Sequence, residues 1–182
     1  QILDIAQHLV QTRGFNAFSY ADIAKAMHVS KASLHYHFAT KADLGTELIE
    51  RYHADFKRAL DEIDDTGCTP PDRLRRFFAL YAHVLADERM CLCGMLAAEF
   101  STLPPVMQTA LDRFFELNEK WLATVLEDGR RQGNLRFTEP AADAALYIIS
   151  TLEGSMMMSR ANGGLTRFDA TSKHLLADLG MA

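Results

Sequence analysis

Apolar residues recur at helical spacing along almost the whole chain, and no stretch alternates with a period of two. Ile2, Ile5, Ala6 and Leu9 form one such stripe, ending near Gly14. Leu44, Leu48, Tyr52, Phe56 and Leu60 form another, and Leu74, Phe77, Phe78, Tyr81 and Leu85 a third. Val106, Ala110, Leu111, Phe114, Trp121, Val125 and Leu126 mark a long fourth stripe, and Leu146, Ile149, Leu152 and Met156 a fifth. No Asn-Gly turn joins β-branched stretches, so hairpins have no seed. The fold class expected is all-α.

Local chemistry divides the helices. Ser19 is placed to cap a short helix running to about Met27, and Ser30 another running to about Phe38. Thr40, with Asp43 at the third helical position, starts a long helix to about Asp64. Thr69 followed by Pro70 is a cap with a first-turn proline. A shorter helix is expected over 91–101, stopped by "LPP", then a long one over 106–130, ended by "GRRQGN". Pro140 opens another, and "ANGG" separates it from a last short helix near 166–179. The natural division is a bundle over residues 1–45 and a larger helical body over 46–182.

With 182 residues and 48% hydrophobic content, the chain can bury a real core. A formal net charge of -5 excludes a general polyanion binder, so charge must be read locally. No apolar run approaches the roughly 18 to 20 residues of a spanning helix, and no signal peptide is visible, so no membrane partner is expected. Three cysteines, two of them in Cys91-Leu92-Cys93, do not make a secreted disulfide framework; a reducing cytoplasm is the expected compartment. Gln1 already lies within a helical pattern, so residues upstream, including a charged arm, are expected.

Residues 20–38 read as helix, tight turn, helix: "YADIAKAM", "HVS", "SKASLHYHF". Ala24, Ala26 and Ala32 are small enough for two helices to cross closely, with Ile23, Val29 and Leu34 as the seam, which is what a helix-turn-helix requires. The second helix then presents Lys31, Ser33, His35, Tyr36 and His37 outward. From Ile23 to Ala42 there are three lysines and no acid, whereas residues 1–53 as a whole balance five bases against five acids. A basic patch in a neutral region gives modest nonspecific DNA affinity, which a dimer would double. His35 and His37 are two apart and do not face the same way on a helix, so they make no metal pair.

The stretch "GFNAFSYADIAKAMHVSKASLHYHFATKADL" resembles the DNA-binding domain of the TetR family of bacterial transcriptional regulators. The likeness rests on the Gly-Phe turn, the Ser cap, Val-Ser-Lys, the family's Leu-aromatic-x-His-Phe stretch, which this chain follows over Leu34 to Phe38 except at His35, and the lysine before an acidic helix start. It covers about 50 residues. It implies nine helices, an N-terminal three-helix bundle carrying the helix-turn-helix, and a C-terminal body that binds a ligand and dimerises through its last two helices. It further implies that Ser19 and Tyr20 sit where a helix N-terminus meets a phosphate. By the same likeness Lys31, Ser33 and Tyr36 reach base edges or the backbone beside them, and His37 and Lys41 contact phosphate. His35 stands where the family more often has tyrosine; a histidine still hydrogen-bonds phosphate, and DNA affinity is expected to rise mildly on acidification.

In the body, "AADAALYIISTLEGSMMMSR" reads as a helix with small residues and a flat apolar face; it resembles the family's penultimate helix, which builds a four-helix interface with a two-fold mate, against the plainer reading of ordinary core. Phe77, Tyr81, Met95, Phe100, Phe114 and Trp121 are candidates for the wall of an effector pocket, with Glu99 and His83 as polar groups, and point to an apolar or aromatic effector. Cys91 and Cys93, with Arg89 nearby, are candidates for sensing oxidants or electrophiles, against the plainer reading of small buried side chains. No phosphate loop, zinc motif or nucleophile elbow is present, so neither enzyme, metal nor cofactor is expected. The function expected is an effector-responsive regulator, a homodimeric repressor released from palindromic operator DNA by a small apolar or electrophilic ligand. The alternative is an all-helical small-molecule binding or scaffolding protein without a transcriptional role.

Overall fold

The computed structural model describes residues 1–181, and every expected helix is there. In chain order they are α1 (Ile2–Arg13), α2 (Tyr20–Met27), α3 (Lys31–His37), α4 (Lys41–Asp65), α5 (Pro70–Ala86), α6 (Leu92–Ala98), α7 (Pro105–Arg131), α8 (Ala141–Ala161) and α9 (Gly164–Asp178). A single 3-10 turn, Phe100–Thr102, follows α6, and no strand occurs among the described residues. The starts are written in the caps. Ser19 Oγ accepts from the Ala21 amide while the Asp22 carboxylate accepts from the Ser19 amide, and Thr40 and Asp43 repeat the arrangement at α4. Thr69 Oγ1 accepts from the Asp72 amide, with Pro70 in the first helical position.

Two expectations about boundaries shift. The helix expected over 91–101 ends at Ala98 and tightens into the 3-10 turn, and the last helix begins at Gly164 instead of 166, directly after Gly163 in the left-handed region at φ 92°. The three methionines of α8 divide as a helix demands: Met156 is buried, and Met157 and Met158 are half exposed.

The helices sort into two compact units that do not follow chain order. One joins Gln1–Asp55 to Arg89–Phe114; the other joins Phe56–Glu88 to the chain from Phe115 onward. The first unit packs α1 against α2 and α6, and α2 against α3, around Val10, Phe15, Ile23, Leu34, Leu48 and Leu96. The second packs α8 on α9 and both on α5, around Leu74, Phe77, Ile148, Leu152 and Phe168. Both α4 and α7 run through the two units, so the boundary at residue 45 falls inside a continuous helix. Among the described residues no helix is long and apolar enough to cross a membrane.

Candidate nucleic-acid interface

The turn between α2 and α3 is made by His28, whose left-handed backbone (φ 56°) closes the first helix. Ser30 Oγ then accepts from the Ser33 amide and starts α3. Only Leu34 of that helix is buried, at 1% exposure, and α3 packs on α2, whose buried residues are Tyr20, Ile23 and Ala24. The seam is narrower than its sequence suggests: Val29 is 39% exposed, and Ala26 and Ala32 face solvent. A seven-residue helix buries a single apolar position, so the remaining small residues stay outside.

Lys31, Ser33, His35, Tyr36 and His37 are all exposed on α3. Tyr36 is 87% exposed, an aromatic that its own chain leaves almost wholly in water. Its ring meets His37 edge-on at 5.4 Å. The His35 ring leans on Tyr20 at 4.6 Å, and its Nδ1 lies 3.2 Å from the Ala39 carbonyl oxygen. With Nδ1 donating there, Nε2 is left for an outside partner.

Tyr20 and Lys41 turn inward. The single proton of the part-buried Tyr20 hydroxyl is shared between the carbonyl oxygens of Phe38 at 2.9 Å and Thr40 at 2.6 Å, and burial pushes its phenol above the ordinary range. The Lys41 ammonium donates to the carbonyl oxygens of Phe15 and Phe18, both at 2.5 Å, and lies 4.5 and 4.2 Å from the centres of the rings of the same two residues. Its desolvation lowers its pKa from that of an ordinary lysine, opposed by the charges of Glu99 and Asp22. A groove of about 290 Å³ runs between the start of α2 and α3, lined by Ser19, Tyr20, Lys31, His35 and Lys41. It joins two lysines, a histidine and a helix N-terminus in one place, a setting that favours an anion. The Asp22 carboxyl at the same helix start is held below its usual range, first by the Ser19 backbone amide.

The candidate effector residues are drawn from both units. In the second unit Phe77 stacks on Trp121 at 5.3 Å with planes 21° apart, and Tyr81 lies 5.4 Å from Phe77. Phe56, which the sequence reading took only as part of a helix stripe, completes the cluster at 6.1 Å from Phe77 and 6.0 Å from Tyr81. Trp121 Nε1 donates to Asp64 at 3.0 Å. In the first unit Phe114 packs beside Tyr52 and His53, and Met95 is half buried on α6. Phe100 is 41% exposed because the 3-10 turn carries it off the α6 face, and His83 is exposed on α5. Cys91 and Cys93 are buried in the first unit, where the Tyr52 hydroxyl lies 3.9 Å from Cys91 Sγ, and no disulfide joins the cysteines. No group of three or more His, Cys, Asp or Glu among the described residues is arranged to hold a metal.

On α8 an apolar row stays in solvent: Leu146, Tyr147, Met157 and Met158 are about half exposed. Gly154 lies along the same helix, and a β-carbon there would meet nothing of its own chain within 4 Å.

Comparison with known proteins converges on one group. Residues 2–48 match the family model described as bacterial regulatory proteins, tetR family, and residues 70–175 match the tetracyclin repressor-like C-terminal domain. The chain is 32% identical over 159 residues to the transcriptional regulator AcuR of Cereibacter sphaeroides, covering 85% of this chain and 72% of that one. It is 28% identical over 161 residues to the HTH-type transcriptional repressor DhaR of a Mycobacterium species, covering 84% of this chain and 81% of that protein. Among solved structures, a TetR family transcriptional regulator from Agrobacterium tumefaciens superposes with a TM-score of 0.94 at 32% identity, over 98% of this chain and 95% of the other.

Proposed function

From the premise that this chain belongs to the TetR family of bacterial regulatory proteins, and is an effector-responsive DNA-binding repressor, we propose how its residues divide the work. The α3 helix enters the major groove. Lys31, Ser33 and Tyr36 meet base edges or the adjoining backbone; His35 and His37 reach phosphates. Ser19 and the N-terminus of α2 hold a further phosphate, with Lys41 supplying charge from the groove behind them. Tyr20 acts through its hydroxyl on the α3–α4 connection and so sets where α3 sits.

Two copies pair through α8 and α9 into a four-helix contact, which places two α3 helices about 34 Å apart on a palindromic operator. The half-exposed apolar row on α8 and the open space at Gly154 support this pairing. A small apolar effector acts in the cytoplasm on the aromatic cluster of Phe56, Phe77, Tyr81 and Trp121, or an electrophilic one acts on the thiol of Cys91 or Cys93. It shifts a two-state equilibrium by its difference in affinity, typically about 1–3 kcal/mol of coupling. The α4 helix, common to both units, is the lever.

One observation carries the assignment of α3: a solvent-facing helix whose largest side chain, Tyr36, has almost no contact with its own fold. Tyr36→Ala is expected to cut operator affinity by about tenfold or more and relax sequence preference, with helix content and dimer unchanged. Titration of labelled duplexes reads it out; unchanged specific binding would remove α3 from the groove.

A further inference from the structure

The segment that carries α6 is fastened to α1 and its following turn at two points. At the near point, Gln11 Nε2 donates to the Met90 carbonyl at 3.0 Å, and the Met90 amide donates back to the Gln11 carbonyl at 3.1 Å. Gln11 is fully buried in doing so. At the far point stands Glu99, the residue that closes α6. Its carboxylate accepts from the Phe15 amide at 2.7 Å and, through both oxygens, from the Asn16 amide at 3.3 Å. Asn16 Nδ2 adds a bond to Thr102 Oγ1 at 2.8 Å.

The approach depends on Gly14. Its φ of 96° turns the chain out of α1, and a β-carbon there would lie 2.8 Å from Glu99 Oε1. The same turn is gripped from its other side, since Lys41 binds the carbonyl oxygens of Phe15 and Phe18. Residues 14–18 are therefore held by a carboxylate on their N–H groups and an ammonium on their C=O groups. Directly after them Ser19 begins α2, and α2 carries α3. Glu99 itself lies within residues 70–175, which match the C-terminal domain of the family and not its DNA-binding part.

We propose that Glu99 is a positioning residue for DNA binding: its carboxylate ties the end of α6 to the α1–α2 turn and so fixes the start of α2 and the aim of α3. This rests on the repressor reading above. Hydrogen bonding sets a tight tolerance, because a shift of α6 by about 1 Å takes the Phe15 bond out of range. Any rearrangement of α6 is then felt at the phosphate-binding end of α2 without passing along α4.

The test uses the full chain and a duplex selected by the wild-type protein from a random-sequence library. If the wild type selects no duplex, the DNA-binding reading fails, and the fault does not lie with Glu99. If it does select one, Glu99→Ala is expected to bind that duplex about tenfold more weakly, with dimer and helix content kept, and amide exchange at Phe15 and Asn16 should quicken about tenfold while Val10 stays protected. Glu99→Gln keeps an acceptor and should recover most of the affinity. Binding by Glu99→Ala within about twofold of wild type would overturn the proposal, as would equal weakening by both variants or a rise in exchange throughout α1.

Discussion

Lys41 shows how a residue expected to serve a partner can also serve its own fold. Its position before an acidic helix start implies phosphate contact, yet its ammonium is already engaged by two backbone carbonyls and two aromatic faces of its own unit. Both roles can hold at once, since an ammonium has three donors. They are separable by experiment. Lys41→Met keeps the stem and removes the charge. If the clamp matters, stability falls by about 1–2 kcal/mol for this half-buried group, lowering the thermal midpoint by about 2–8 °C. If the phosphate contact matters too, binding weakens for all sequences alike and the salt slope drops by about one. A lower midpoint with an unchanged slope would assign Lys41 wholly to the fold; an unchanged midpoint would discard the clamp. Glu99 was expected to be a polar group of the effector pocket; its bond to the Phe15 amide was not legible, because that partner lies 84 residues away and no local pattern marks the pair.

At the scale of the element, what the sequence discloses is what neighbours in the chain decide. The caps at Ser19, Thr40 and Thr69 are contacts within three residues, and all are made as their residue types require. The seam of the helix-turn-helix depends on how one helix crosses another, and there Val29, Ala26 and Ala32 were expected inside and lie outside. Likewise the cluster of Phe56, Phe77, Tyr81 and Trp121 draws on three helices; Phe77, Tyr81 and Trp121 were expected to share a wall, and Phe56, which reaches them from another helix, was not. For α8 the sequence offered small residues and methionines; the structure adds which of them are uncovered. Glycine in mid-helix costs roughly 0.5–1 kcal/mol against alanine, so Gly154 needs a reason, and the second copy proposed above would supply one. Gly154→Leu is expected to weaken self-association by about tenfold or more in sedimentation velocity, and operator affinity with it. Gly154→Ala is the milder control. A leucine variant that stays dimeric would move the interface off this helix.

For the molecule as a whole, the notable property is that the unit bearing α3 is assembled from two separate lengths of chain, Gln1–Asp55 and Arg89–Phe114. The second length supplies Met90, Leu92, Cys93, Leu96 and Phe114 to the unit's core, as well as Glu99 to its turn. A fragment ending at Asp55 is therefore expected to show reduced helix by circular dichroism and no cooperative unfolding transition. A fragment with a sharp transition would mean that α1 to α4 suffice alone. The burial of Cys91 and Cys93 also follows from this assembly, since both stand on the second length. Synthesis on the ribosome feels the same fact: roughly sixty residues must still be added after Asp55 before the last piece emerges, a delay on the order of several seconds. Throughout that interval the nascent chain has α3 but lacks Met90, Leu96 and Glu99, which belong to the finished unit. Engineers who transplant this operator specificity onto another regulator would accordingly need to move both lengths together.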